Sequence, residues 1–562
     1  MSGFAAEEAL RGLADEVWRA LVDRDPYTAA TAGLQPKGFP RGDLVEAESV
    51  AAAARARLDR LDCIDVAGLG RTERTTAAHL RYWLEDETRE PLRWWTGFGV
   101  APYSMSGFSV VLSILFPGID LERSAEAERY LALADGYAEA VVALRERIEA
   151  QAARGWRLPR PAIPGARKTI EGIGTSAAVV IALSEDRAAP EAVRLDIAAL
   201  VEERLKPAFE RLLEAIGPDY EHAAPEAVGI CHQPGGADAY RDWIRYHLSY
   251  DAEPEEIHRI GLAEVERLSA AMERLRVDAF GHNGDEASFH EQLRQDPRAK
   301  APTPEALAAT YDGHLARMAP VFAKLVRHAP KARARVERLA PALEAGMTFG
   351  YYDPPSTPGA DGVYYYSGNG IPDRLQMNAA PLIYHELVPG HHVAITRQAE
   401  NHLLPDLRRR TFAFTAFNEG WAEYSAGLAE EAGLYDDPYD LYGWLAHQRF
   451  VAQRLVVDTG LNFYGWSLEQ ARAYMLANTL ESEAQVASET LRYATDLPAQ
   501  SLAYRMGFLK FRELRDRARH QLGDAFDLAE FHECILEQGC LPIKVLERSL
   551  DGWADEQLAK AA

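Results

Sequence analysis

The chain has 562 residues, 47% hydrophobic and 26% charged, with a formal net charge of -24. That length exceeds what one hydrophobic core usually serves, so two or more lobes are expected, and the composition is that of a packed globular protein, not a disordered or fibrous one. The acidic excess argues against a sequence-independent grip on nucleic acid or on anionic lipid, because both need a basic surface to neutralise phosphates.

The amino terminus, Met-Ser-Gly-Phe-Ala-Ala-Glu-Glu, lacks the basic start and apolar middle of a secretion signal. No later apolar run approaches the ~20 residues a membrane-spanning helix needs, and a cytoplasmic location is the expectation. Cys63, Cys231, Cys534 and Cys540 are too scattered for a disulfide framework or a thiolate zinc site. From about Glu126 to Ala153, Tyr130, Ala134, Tyr137, Val141 and Leu144 recur at spacings of three and four, which predicts an amphipathic helix. Such patterns dominate, so the fold class is mainly α.

The stretch Gly281 to Pro304 is polar and rich in Gly, Asn, Asp and Pro. It suggests a boundary between an amino-terminal helical lobe, 1–280, and a carboxy-terminal lobe, 305–562, that holds every motif below. The basic clusters Lys331 to Arg338 and Arg408 to Arg410 read as solvated helical faces. Between Met347 and Asn378, tyrosine-rich runs alternate with turn formers, predicting short strands and a long loop. This small β element either forms one wall of a substrate cleft, with Tyr366 as a candidate contact, or packs as a tyrosine-rich edge on helices.

The segment His385-Glu386-Leu387-Val388-Pro389-Gly390-His391-His392 begins in an apolar helical stretch, with Pro381 suited to its first turn and Asn378 as a possible cap. In a zinc helix of HExxH type, two histidines four apart share a face and the intervening Glu serves as general base. Here the fourth position is Pro389, which cannot donate to the His385 carbonyl, while Gly390 tolerates unusual dihedrals; a bulged helix is expected. A two-residue bulge brings His391 to the ligand position. His392 remains the alternative, and otherwise neighbours the metal or faces substrate.

Glu419, in Asn418-Glu419-Gly420-Trp421-Ala422-Glu423-Tyr424, is the candidate third ligand. Glu419, Ala422, Glu423, Ala426 and Gly427 share a helical face whose small residues admit a neighbouring helix. Glu423, one turn on, is suited to accept a hydrogen bond from a ligating imidazole and fix its tautomer. Further on, Tyr504, Gly507, Phe508 and Phe511 form a stripe in which Gly507 allows close contact, and Tyr504 is a candidate oxyanion donor, with His392 the second choice. Arg505, Arg512 and Arg515 are candidate holders of a substrate carboxylate.

With these motifs in this order, together with Tyr504-x-x-Gly507, the chain resembles, over most of its length, the bacterial family called domain of unknown function 885. That family looks like a distant relative of the gluzincin peptidases, in which two histidines and a downstream glutamate bind zinc. The resemblance implies a helical, two-lobed metallopeptidase-like fold with a deep cleft. The segment around Glu419 is similar to the Asn-Glu-Gly-Phe-Ala ligand segment of membrane-alanyl-aminopeptidase-like enzymes. Gly390-His391 looks like the Gly-His of carboxypeptidase Taq-like and thimet-like peptidases.

The function expected is therefore zinc-dependent hydrolysis of peptides, with Glu386 as general base and one zinc held by His385, His391 and Glu419. The same ligand set also suits Mn, Fe or Co. Two other readings are a metal-dependent hydrolase of a small amide or ester, and a binding protein with a degenerate site. The sequence carries no indication of oligomeric state.

Overall fold

Apolar residues at helical spacing drive nearly every element of the computed structural model, which describes residues 3–561 except 37, 345–349, 358, 372 and 373. The chain divides into two compact units. The first comprises the chain up to Trp243 with Gly460–Ala471 and Ala487–Pro498; the second comprises Ile244–Thr459, Arg472–Val486 and the chain from Ala499 onward.

The first unit is helical. Its α1 (Gly3–Arg24) buries Leu10, Leu13, Val17 and Leu21 along one stripe. Its α2 (Ser124–Ala153) buries Tyr130, Ala134, Tyr137, Val141 and Leu144, the stripe expected from the sequence. None of the motif residues lies in this unit.

The second unit carries them all. It opens with α3 (Pro254–Phe280) and α4 (Glu286–Gln295), the latter capped by the Asp285 side chain on the Ser288 N–H. Helix α4 falls inside the stretch read as a boundary. Its Phe289 and Leu293 are buried with Met377, Tyr442 and Leu445. The division between units comes after Trp243 instead. Polar, turn-rich composition marked a surface excursion here, while two apolar residues one turn apart were enough to tie it into the core.

After α5 (Pro304–Leu325) come three strands, β1 (Ala334–Arg338), β2 (Gly350–Asp353) and β3 (Gly362–Tyr366), in the order β1-β3-β2. Strand β1 runs parallel to β3 with Ala334 opposite Gly362, and β2 runs antiparallel with Gly350 opposite Tyr366. The tyrosine-rich segment thus forms the strands expected; its residues 347–349, 358, 372 and 373 lie outside the described residues. The basic run from Lys331 is partly β1, not a helical face. Tyr364 and Tyr366 of β3 pack with Leu307, Tyr311 and Ile383, so the sheet braces the helix that carries His385.

Among the helices that follow, those that carry the motif residues and their neighbours are α6 (Ala379–Glu386), α7 (His391–Glu400), α8 (Thr415–Glu431), α9 (Pro438–Asn462) and α10 (Leu502–Leu522). Helices α8 and α10 cross at glycines: a Cβ on Gly420 would stand 2.6 Å from the Gly507 Cα. Side chains at either position would push the two helices apart. Among the described residues, no helix is long and apolar enough to cross a membrane.

Candidate metal centre

Helix α6 has Asn378 at its capping position, though the Asn378 side chain makes no capping bond, and Pro381 in its first turn. The helix does not bulge at Pro389; it stops. Leu387 makes the last amide bond, to Ile383, and turns out of helical geometry at φ -111° and ψ -93°. A cis Val388–Pro389 bond follows, and α7 starts afresh at His391. Gly390 passes so close to the His385 carbonyl that any Cβ would collide with backbone, which restricts the position to glycine. The loop is held from α8, where the Trp421 indole N–H donates to the Pro389 carbonyl at 3.1 Å and the Ser425 hydroxyl donates to it at 3.3 Å.

The break brings the two histidines together. The His385 and His391 rings stand perpendicular with centroids 4.8 Å apart. Glu419 Oε2 is 3.5 Å from His385 Nε2 and 3.5 Å from His391 Nε2. These separations exceed good hydrogen-bond lengths. Two donors about 2.1 Å from one tetrahedral ion would stand about 3.4 Å apart, which matches both histidine–carboxylate separations, and all three atoms lie within 4.8 Å of one another. The chemistry also fits: the carboxyls of Glu386, Glu419 and Glu423 gather among imidazoles with little access to water, and a divalent cation would balance them.

Electrostatics follow the same arrangement. Burial alone would push the Glu419 carboxyl up, but its polar contacts with His385 and His391 and their charge hold it well below the usual range. Burial also opposes charge on His385, yet Glu419 and Glu423 raise its imidazole well above the ordinary value. Glu386 differs: burial raises its carboxyl, and the nearby histidines offset only part of that. A carboxyl raised in this way is a better proton acceptor and donor near neutrality.

Behind the ligands, Glu423 Oε1 lies 3.2 Å from His385 Nδ1 and accepts from His447 Nε2 at 2.8 Å, while its Oε2 accepts from the Gln448 amide at 2.8 Å. Gln448 accepts in turn from Arg505, which is fully buried and paired with Glu264. His385, Glu423 and His447 form a second convergent set of donor atoms. A neutral imidazole has one lone-pair nitrogen. If Nε2 of His385 faces the ion, Nδ1 carries the proton and points to Glu423, so the second set supports the first.

Other expected residues fall elsewhere. His392 faces away from the cluster: its Nε2 donates to the Ala332 carbonyl at 3.1 Å and its Nδ1 accepts from the Tyr352 hydroxyl at 2.9 Å. With both nitrogens engaged and the ring buried, it tethers α7 to the sheet and is neither a ligand nor an oxyanion donor here. Tyr366 is buried and donates to the Pro304 carbonyl at 2.9 Å, a core role that removes it from substrate contact. Arg505 is sequestered in the network above, exposed Arg512 lies over the Phe508 ring, and Arg515 pairs with Glu431. None of the three reaches the ligand cluster. In the Arg408 to Arg410 run, Arg408 is buried and bonds the Gln538 carbonyl, contrary to a solvated face.

Tyr504 is well sited. Its ring lies nearly parallel to that of His385, 6.4 Å away, and the Arg454 guanidinium sits 4.7 Å over its face. Sequence reading missed His447, Gln448 and Arg454 on α9. The available signal was a run of polar residues, His447, Gln448, Arg449, Gln453 and Arg454, within an otherwise apolar helix.

The chain belongs to the bacterial family of proteins of unknown function DUF885, whose model matches residues 26–550. It is similar in structure to the "putative lipoprotein" of Colwellia psychrerythraea, with 26% identity, a TM-score of 0.85, and coverage of 98% of this chain and 99% of that one. It also shares its fold with a "putative lipoprotein of unknown function" of Shewanella oneidensis, at 14% identity and a TM-score of 0.75 over 95% and 98% of the two chains. No protein with curated annotation matches.

Proposed function

We propose that this protein is a zinc-dependent hydrolase of the gluzincin type that cleaves amide bonds in peptides. The observation that carries this reading is the convergence of His385 Nε2 and His391 Nε2 on Glu419 Oε2, each 3.5 Å from it, beside the half-buried carboxyl of Glu386. His385, His391 and Glu419 would hold the ion. A bound zinc supplies Lewis acidity and lowers the pKa of water towards neutrality. Glu386 takes a proton from water as the water oxygen adds to the carbonyl carbon, and returns it to the leaving amine as the C–N bond breaks. Tyr504, stacked by the His385 ring, donates to the developing oxyanion. Glu423, anchored by His447 and Gln448, keeps the His385 proton on Nδ1.

The test pairs metal analysis with a peptide-library assay on wild type and Glu386→Gln. About one zinc per chain in both proteins, with turnover in the wild type alone, is the expected result. Cleavage that survives the substitution would remove Glu386 from its role, and absence of metal from both would end the zinc reading.

A further inference from the structure

A carboxylate can only accept hydrogen bonds and a guanidinium can only donate them, whereas a side-chain amide does one at each end. Gln448 stands between one of each. Its Nε2 donates to Glu423 Oε2 at 2.8 Å, and its Oε1 accepts from the Arg505 guanidinium. Turned over, the amide would set its carbonyl against the carboxylate and its NH2 against the guanidinium, so its orientation is dictated from both ends. All three side chains are buried, which leaves no bulk water to satisfy the reversed arrangement.

Arg505 is itself held in place. It donates to Glu264 on α3, and its guanidinium lies 4.4 Å over the Phe508 ring of its own helix, a contact that sets the plane of its donors. The bonds therefore run in one direction, from Arg505 on α10 to Gln448 on α9 and from Gln448 to Glu423 on α8. At the end of the series Glu423 Oε1 faces His385 Nδ1 at 3.2 Å. A guanidinium stays charged and has no lone pair to offer, so the series cannot reverse while Arg505 is present.

We propose that Arg505 is a positioning residue of the metal centre: by donating to the Gln448 carbonyl it turns the Gln448 amide towards Glu423 and so holds that carboxylate facing His385 Nδ1. The role rests on the metal-centre reading above and adds to it a residue that touches neither ion nor substrate.

Zinc affinity, read by competition with an indicator, tests it in a double-mutant cycle. Glu264→Gln and Arg505→Met are made together, so that neither charge of the ion pair is left stranded. This pair variant should bind zinc roughly three- to tenfold more weakly than wild type, less than loss of Glu423 itself costs. Because Arg505 acts through Gln448, adding Gln448→Leu should weaken binding no further than Gln448→Leu does alone. Unchanged affinity in the pair variant, or losses that simply add, would overturn the role.

A second measurement needs no metal. In deuterated, metal-free protein with isotope-labelled glutamine side-chain nitrogens, the Gln448 amide is identified by its disappearance in Gln448→Leu. In wild type its magnetic-resonance signal should lie downfield of exposed glutamines, as for an N–H donating to a carboxylate, and it should move back towards them in the pair variant. A wild-type signal among the exposed glutamines would overturn the proposal whether or not the pair variant folds, as would a signal that the pair substitution leaves in place. The two readings fail separately. A wild type without zinc whose Gln448 signal behaves as expected sinks the hydrolase reading and leaves Arg505 orienting Glu423; stoichiometric zinc with an unshifted signal does the reverse.

Discussion

Gly420 and Gly507 meet backbone against backbone, with a Cβ built on the first only 2.6 Å from the Cα of the second. The contact lies next to Glu419 on one helix and one turn from Tyr504 on the other. Gly507→Ala should therefore cost about 1–3 kcal/mol through overpacking and loosen zinc at the same time. Urea unfolding gives the first quantity and a chelator competition the second. A variant as stable as wild type would show that the crossing is slack.

Glu423 accepts from His447 and Gln448 and holds its Oε1 3.2 Å from His385 Nδ1, so its loss would remove the carboxylate that faces that nitrogen. Glu423→Gln should weaken zinc affinity by roughly 10- to 100-fold with the three ligands intact. Gln448→Leu, which removes only one of the bonds to Glu423, should produce a smaller loss in the same direction. Equal affinity in wild type and Glu423→Gln, measured by competition with a zinc indicator, would refute the support role.

The two adjacent histidines should behave oppositely. His391→Ala is expected to lose stoichiometric zinc, whereas His392→Ala should retain it and instead lose stability, about 1–3 kcal/mol for a buried ring bonded at both nitrogens. Metal analysis and thermal melts of the pair distinguish the roles. Zinc lost from His392→Ala and kept by His391→Ala would reverse the assignment.

Burial opposes ionisation of Glu264, but Arg267 and Arg505 outweigh it and bring its carboxyl from 4.5 to about 2. A depressed carboxyl contributes stability that is present above pH 4.5 and lost as pH falls through about 2. With solvent screening on the exposed Arg267 side of the carboxylate, the contribution is on the order of 1–2 kcal/mol. The stability gap between wild type and Glu264→Gln should narrow by that amount over this window. A gap independent of pH there would contradict the linkage.

His385, Glu386, His391, Glu419, Glu423 and Tyr504 were legible because their chemistry is periodic: residue types at fixed spacing on helices betray a shared face. What spacing cannot show is the direction of a ring once a helix has stopped. The break at Pro389 was expected as a bulge, since Pro and Gly announce a departure without saying how far the chain departs. His392 was left open for the same reason, as its partners, Ala332 and Tyr352, come from distant sequence. His447 sits 24 residues beyond Glu423 on another helix and joins it only through packing. The boundary at 281–304 failed because the units are built from interleaved stretches of chain, which composition along the sequence does not register.

Trp421 and Ser425 grip the Pro389 carbonyl from the same helix that offers Glu419 and Glu423. One rod therefore sets both the position of the acids and the swing of the histidine-bearing arm, and neither can be adjusted alone. Grafting residues 385–392 onto a foreign scaffold would bring the histidines without their jig. A working transplant must include Thr415–Glu431 as well, and variation that tunes the centre should occur in coordinated pairs across the two segments.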